Sequence, residues 1–519
     1  MPRPVLCTLR NKVLDRATNF ANIRRVSEKA EDSSPSSGAV KGEPRLLWAT
    51  AAAVAGFGNW MLYDALPGIN WVLWTGAAVA GLLVFSRPRG HPPRSVLIMG
   101  GAPIVIAGAA AVTASPGLWA LICLAIVFFL AMQMLLTAGL SPRSITARFA
   151  ATAPLVALRI AAVQAMRRGV EATHLIRSTR ARAWVRGLAI TLPVLVGFAL
   201  LLAGADPVFA AWRDAVGDLV ASWEFVPRVV FFMALLVVVL GAYGYASTES
   251  GSSPAMEGKA PDRWLGSTER FILLAGVAAL FWLFLAVQLG YLFGNLPRIP
   301  ASGMTFAEYA RRGFGELSIV ASASALLIVV SERYGNDDGR ERTLRLLTFA
   351  VIAAVLLLLG SAFRRVWLYE AAYGLTTARL YARVYMYAVA VGLVMLSLEV
   401  ARDFDAGRLF RRAAAAATIL FIALIYWNHE AWIASRNMDR FASTGKLDVA
   451  YLTRGLSPDA IPAIAERLPS LPEPMRSDIR RAVRERYAAR SEGRQRTWFE
   501  WNLASSRARQ ALNASFASP

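Results

Sequence analysis

Apolar residues run along this chain in long, nearly charge-free stretches separated by short polar segments. Eleven such stretches lie between Leu46 and Trp427, at 46–63, 70–86, 95–114, 117–140, 187–205, 228–247, 270–294, 316–331, 345–363, 384–400 and 412–427. A helix rises ~1.5 Å per residue, so about 20 apolar residues cross the ~30 Å hydrocarbon layer of a bilayer. Inside that layer a lone segment satisfies its own backbone only as a helix. The pattern therefore predicts an all-α protein, a polytopic transmembrane helical bundle of eleven spans over 46–427. A polar N-terminal segment, 1–45, precedes it, and a small soluble helical tail, 428–519, follows. The weakest span is 95–114, interrupted by Gly100-Gly101 and Pro103.

Two connecting segments have a helical pattern of their own. In 141–186, Arg148 and Arg159 stand about three turns apart on one stripe of an otherwise apolar segment, which predicts a helix lying along the membrane surface. In 205–223, Asp206 suits an N-cap and Pro207 the first helical position. Val208, Trp212, Val216, Leu219 and Trp223 then recur at spacings of three and four, the mark of a second interfacial helix.

Composition supports a membrane protein: 56% of residues are hydrophobic and 18% charged, against about 25% charged in soluble domains. The net charge of +21 would suit a nucleic-acid binder, but the basic residues gather in the loops between spans, where they set orientation. With the N-terminus inside, inner segments hold 32 Lys and Arg, outer loops 9 and the tail 15. That bias predicts a cytoplasmic N-terminus and, after eleven crossings, a periplasmic tail; no nucleic-acid partner is implied. The five lysines among 56 basic residues, with abundant Ala, fit a GC-rich bacterial genome and hence a bacterial inner membrane. The head lacks the apolar core of a cleavable signal peptide, and its Ser33–Gly38 run reads as disordered.

Candidate chemistry is sparse. Cys7 and Cys123 imply neither a disulfide nor a metal framework, and His91, His174 and His429 are scattered. No nucleotide loop, metal cluster or catalytic triad stands out, so no cofactor is implied and an enzyme is not the favoured reading. The span interiors carry uncharged interruptions such as Gln133 and Gln288 instead of the ionisable groups that mark ion pathways.

The patterned polar residues fall in four segments on the side opposite the head. Beyond Asp206, the second segment runs from Thr305 to Glu316, where Thr305 and Glu308 have capping-box spacing and Glu308, Arg311, Arg312 and Glu316 can pair along a helix. The third holds Arg364, Arg365, Glu370, Tyr373 and Arg379; Gly374 is placed to end one helix in the left-handed conformation and Thr376 to cap the next. The fourth, from Asn428 to Asn437, contains Glu430. Arginines at a low-dielectric boundary are costly without acids. The expectation is a shared vestibule in which these arginines are balanced by Glu308, Glu316, Glu370 and Glu430.

At these segments the chain resembles a family of bacterial polytopic membrane proteins catalogued as a domain of unknown function. The resemblance rests on Ala-Asp-Pro-Val-Phe at 205–209, Glu-Tyr-Ala-Arg-Arg-Gly-Phe at 308–314, Tyr373-Gly374-Leu375-Thr376 with Arg379, and the stretch from Ala431 to Asn437. It covers residues 187–470, with His429 standing where the family pattern has proline after asparagine. It implies an inner-membrane protein and supplies no activity, substrate or cofactor. The reading placed first is a sensing or scaffolding protein whose outer charged cluster holds an anionic ligand, a lipid headgroup or an envelope partner, beside the bilayer itself. A transporter comes second and an enzyme of lipid-linked substrates third.

Overall fold

The computed structural model describes residues 43–86, 94–137, 145–173, 191, 195, 225–247, 263–293, 306–336, 339–491 and 497–516, with the backbone alone for some helix ends, 306–314 among them. The chain divides into a short unit, Met1–Ala49, of which only the opening of the first helix is described, and a large unit, Thr50–Pro519. The described residues are helical throughout, apart from turns and one isolated bridge between Leu265 and Gly335. The long helices are α1 (Glu43–Leu62), α2 (Ile69–Ser86), α3 (Arg94–Val112), α4 (Pro116–Thr137), α5 (Ala147–Thr173), α6 (Phe225–Ser247), α7 (Ser267–Phe293), α8 (Phe306–Tyr334), α9 (Glu341–Tyr373), α10 (Thr377–Val400) and α11 (Ala406–Tyr426). The tail adds α12 (His429–Thr444), α13 (Ile461–Arg467), α14 (Met475–Ser491) and α15 (Leu503–Ser515).

Among the described residues nine helices are long and apolar enough to cross a membrane. Eight coincide with expected spans; the ninth, Ala147–Ala172, is the segment expected to lie along the surface. The weakest expected span, 95–114, is a helix, α3, with Pro103 inside it, but its apolar part, Val96–Val112, is shorter than the nine. Helix α1, at the expected span 46–63, is not among them either. The expected span 187–205 and the amphipathic segment with Asp206 fall almost wholly outside the described residues.

Helix ends within the large unit sort onto two faces. On the first, α1 turns into α2 around the buried Asn70, whose Nδ2 donates to Met61 O (2.9 Å) and whose Oδ1 accepts from Gly68 N (2.8 Å). The α3–α4 turn, the start of α6, the α9–α10 junction and the end of α11 lie on this face too. Arg228 of α6 stands 6.0 Å from the Tyr63 ring, and Tyr426 of α11 donates to Val105 O in α3 (2.6 Å). The tail packs here, and we call it the tail face. The opposite, basic face holds Arg168 of α5 beside Ser247 (3.3 Å), and buried Arg270 on Glu332 (2.5 Å). There Glu399, fully buried, is gripped by Arg408 and Arg412 at 2.5–2.8 Å.

Lipid is as apolar as leucine, so helices associate in a membrane through close packing and polar contacts. In α9 the buried positions Leu344, Val351 and Leu358 recur every seven residues, as do Thr348, Val355 and Ala362, giving one continuous seam against α7, α8 and α10. Between α5 and α6 the backbones nearly touch: a Cβ on Gly241 would collide with the Ala161 carbonyl oxygen. A stripe of Ala153, Ala157, Ala161 and Ala165 on α5 is buried along this contact.

Candidate functional site

The site is assembled on the tail face from helix ends. Helix α9 stops at Gly374, whose φ of 82° and ψ of 177° lie outside the left-handed helical region the sequence suggested, in a region that essentially only glycine occupies. Its N–H still closes the helix by donating to Glu370 O (2.8 Å). A side chain at this position would also meet Asn437 Oδ1 at 2.9 Å. Two residues later Thr376 caps α10, accepting from Arg379 N (3.4 Å), as its sequence position implied.

The third and fourth sequence segments meet here. Asn437 of α12 grips Leu375 at both backbone groups, accepting from its N–H (2.7 Å) and donating to its carbonyl (2.9 Å). Arg440 donates to Ala371 O (2.9 Å) and Ala372 O (2.6 Å), two carbonyls that the end of α9 leaves free. Arg379 donates to Gly374 O and lies 4.2 Å from the Tyr369 ring centroid, a cation–π contact. Tyr373 is exposed, its ring 5.0 Å from that of Tyr369. Of the arginines the sequence singled out, Arg379 thus serves a helix end, as does Arg440, which the sequence had not marked.

Glu370 is different. It is 7% exposed, and one carboxylate oxygen accepts from Arg383 Nη1 at 2.9 Å while the other, Oε1, has no hydrogen-bond partner among the described residues. Arg383, which the sequence reading passed over, keeps 28% of its side chain exposed. Arg364 is exposed, Arg365 half-buried and Glu316 exposed. Glu308, Arg311 and Arg312 fall on the opening turns of α8, with side chains outside the described residues, as is Asp206 altogether.

Among the described residues Glu430 forms no ion pair with an arginine. Buried to 3% exposure, it accepts from Ser457 N (2.5 Å) and so holds the chain at the start of the tail's second helical stretch. Beside it is a carboxylate the sequence reading did not select. Asp459 is 4% exposed and accepts from Ser457 Oγ (2.8 Å) and from Ala114 N (2.8 Å) at the α3–α4 turn. Burial raises its carboxyl above the usual aspartate range, more than these hydrogen bonds lower it. His429 Nε2 lies 3.0 Å from Tyr381 Oη. The Asn428 side chain caps α12 by accepting from Ala431 N (3.0 Å), which makes His429 the first helical residue, a position where proline is also favoured.

The last turn of the tail completes the closure. Glu500 Oε1 accepts from Leu66 N (3.0 Å), Trp501 O from Ile69 N (3.1 Å), and Asn502 donates to Ala110 O (2.8 Å) and Thr113 O (2.9 Å). These bonds satisfy backbone groups at the ends of α1, α2 and α3. The sequence carries one local signal for them, the Thr497/Glu500 capping-box spacing, which the structure forms.

Nine helices able to cross a bilayer among the described residues, closed at one end by a helical tail, define a polytopic integral membrane protein. The chain belongs to the family described as Domain of unknown function (DUF4153), which matches residues 100–467, from within α3 to the last residue of α13. No curated protein and no solved structure matches the chain.

Proposed function

We propose that this is a bacterial inner-membrane protein with a sensing or scaffolding role, its N-terminus cytoplasmic and its tail face periplasmic, and that the tail-face cluster around Glu370 holds its ligand. The observation that carries the reading is Oε1 of Glu370, a nearly buried carboxylate oxygen without a donor among the described residues. Such a group is costly unless something supplies one. Arg383 and Arg379 lie alongside, so the fitting ligand combines an anionic group for the guanidinium side with a hydrogen-bond donor for Glu370. Envelope molecules with both features include lipid headgroups and protein segments.

Loop charge supports the orientation. Residues 87–94, between the basic-face ends of α2 and α3, include three arginines, whereas the tail-face turns 63–68 and 113–115 have no Lys or Arg. The test of the site is Glu370→Gln, which keeps size and one acceptor oxygen but removes the charge. The variant is expected to reach the membrane at the wild-type level and to fail to complement whatever envelope phenotype a deletion shows. If instead its abundance falls in proportion to the lost phenotype, Glu370 only fastens α9 to α10 and the ligand site is elsewhere.

A further inference from the structure

The tail reads as soluble by sequence, yet its last turn carries exposed aromatic rings where soluble surface would be polar. Trp498 is 65% exposed and Trp501 43% exposed. The depth of this turn is fixed by its bonds. Trp501 O accepts from Ile69 N, the first residue of the spanning helix α2, and Glu500 accepts from Leu66 N. Asn502 reaches the end of α3 and the turn into the spanning helix α4. Residues 498–501 therefore sit within a side chain's length of where the spans end, which is the headgroup level of a bilayer.

Their lateral position is fixed as well. Phe499, between the two tryptophans, packs edge-on against Trp60 at 5.3 Å, and Trp60, in the last turn of α1, is itself 49% exposed. An exposed apolar ring at the end of α1 is suited to a lipid-facing position, which places the turn at the perimeter of the tail face. Tryptophan is the residue enriched at that depth, because its ring is apolar while its N–H remains able to reach water or headgroups.

We propose that the turn Trp498–Trp501 is a membrane-contacting element: its two exposed tryptophan rings insert into the headgroup–acyl boundary of the leaflet on the tail face, and so hold the tail against the bilayer. The partner is the phospholipid surface, and the contact does not depend on which side of the membrane the tail face occupies.

The test uses the full chain with Cys7→Ser and Cys123→Ser, carrying Trp498→Cys labelled with a polarity-sensitive fluorophore. It is reconstituted into vesicles of phosphatidylethanolamine and phosphatidylglycerol, with or without lipid spin-labelled near its headgroup. The emission is expected to be blue-shifted and to lose most of its intensity to the spin-labelled lipid. The same label at Ser477→Cys should be red-shifted and unquenched; Ser477 is exposed on α14, whose arginines bond to Thr453, Leu456 and Phe516 within the tail. Trp501→Cys is the second labelling site should Trp498→Cys fail to fold. Emission matching that of Ser477→Cys at both sites overturns the proposal. So does a blue shift insensitive to spin-labelled lipid, because a second copy or another protein would then cover the rings.

Discussion

At Asp459 two forces act on one carboxyl group. Burial and the neighbouring Glu430 carboxylate favour the protonated form, while Ser457 Oγ and Ala114 N favour the ionised one, and burial dominates. A carboxyl raised in the folded state binds protons more readily there than in the unfolded chain. Its stabilising contribution is complete below the ordinary aspartate range and is lost as pH rises through the raised value. Acidification from neutrality toward that range is therefore expected to tighten the docking of the tail. Thermal unfolding of detergent-solubilised protein across this pH window should show the rise, and Asp459→Asn should flatten it; an unchanged slope in the variant would remove Asp459 as its source. The local role of this residue was legible, since Ser457-Pro458-Asp459 reads as a helix opening and the structure has Ser457 capping that turn. Its bond to Ala114, 345 residues away, leaves no mark in the sequence around either residue.

At the scale of elements, the spans were legible and their fastenings were not. Long apolar runs announce themselves because a bilayer demands both length and composition. Glu399 and Glu370 are buried in helices that still pass as apolar, because each lies near a helix end where an arginine from another turn or helix can reach it. Asn437 shows why a motif can be recognised and its work missed: its partner is Leu375, 62 residues earlier. That pairing supports a sharp comparison. Asn437→Ala removes both bonds and leaves a partly buried N–H and carbonyl unpaired, at a cost of about 1–3 kcal/mol. Asn437→Asp keeps the shape and the bond from Leu375 N, but turns a carboxylate oxygen toward Leu375 O where a donor stood. The near-isosteric change is expected to lower the melting temperature at least as much as the alanine one. An aspartate variant as stable as wild type would mean that Asn437 holds the junction through acceptance alone.

For the whole molecule, the two faces constrain the path of the chain through the part not described. Helix α4 begins on the tail face and so ends on the basic face; α6 begins on the tail face again, beside Tyr63. If both helices cross, an odd number of crossings is expected between Thr137 and Phe225. Two segments are candidates, α5 and 187–205. The contact of Arg168 with Ser247 sets the later part of α5 at the basic face, where α5 also follows α4. Helix α5 is itself long and apolar enough to cross and packs along α6, whereas 187–205 lies almost wholly outside the described residues. Taking 187–205 as the one crossing keeps the eleven expected from the sequence. A phosphatase fused after Pro519 is accordingly expected to be active and a fluorescent protein fused there dark. Bright fluorescence at that position would require an even count, with α5 crossing as well.

The bond between Glu500 and Leu66 joins residues 434 positions apart, and it has a consequence in time. The first hairpin of the bundle enters the membrane long before the segment that completes it has been synthesised. Until then, Leu66 N, Ile69 N and the carbonyls of Ala110 and Thr113 must be served by water at the interface. An early part of the chain is thus finished by a late one. A premature stop shortly before Thr497 would be felt first in the turns after α1 and α3, at the far end of the gene from the lesion.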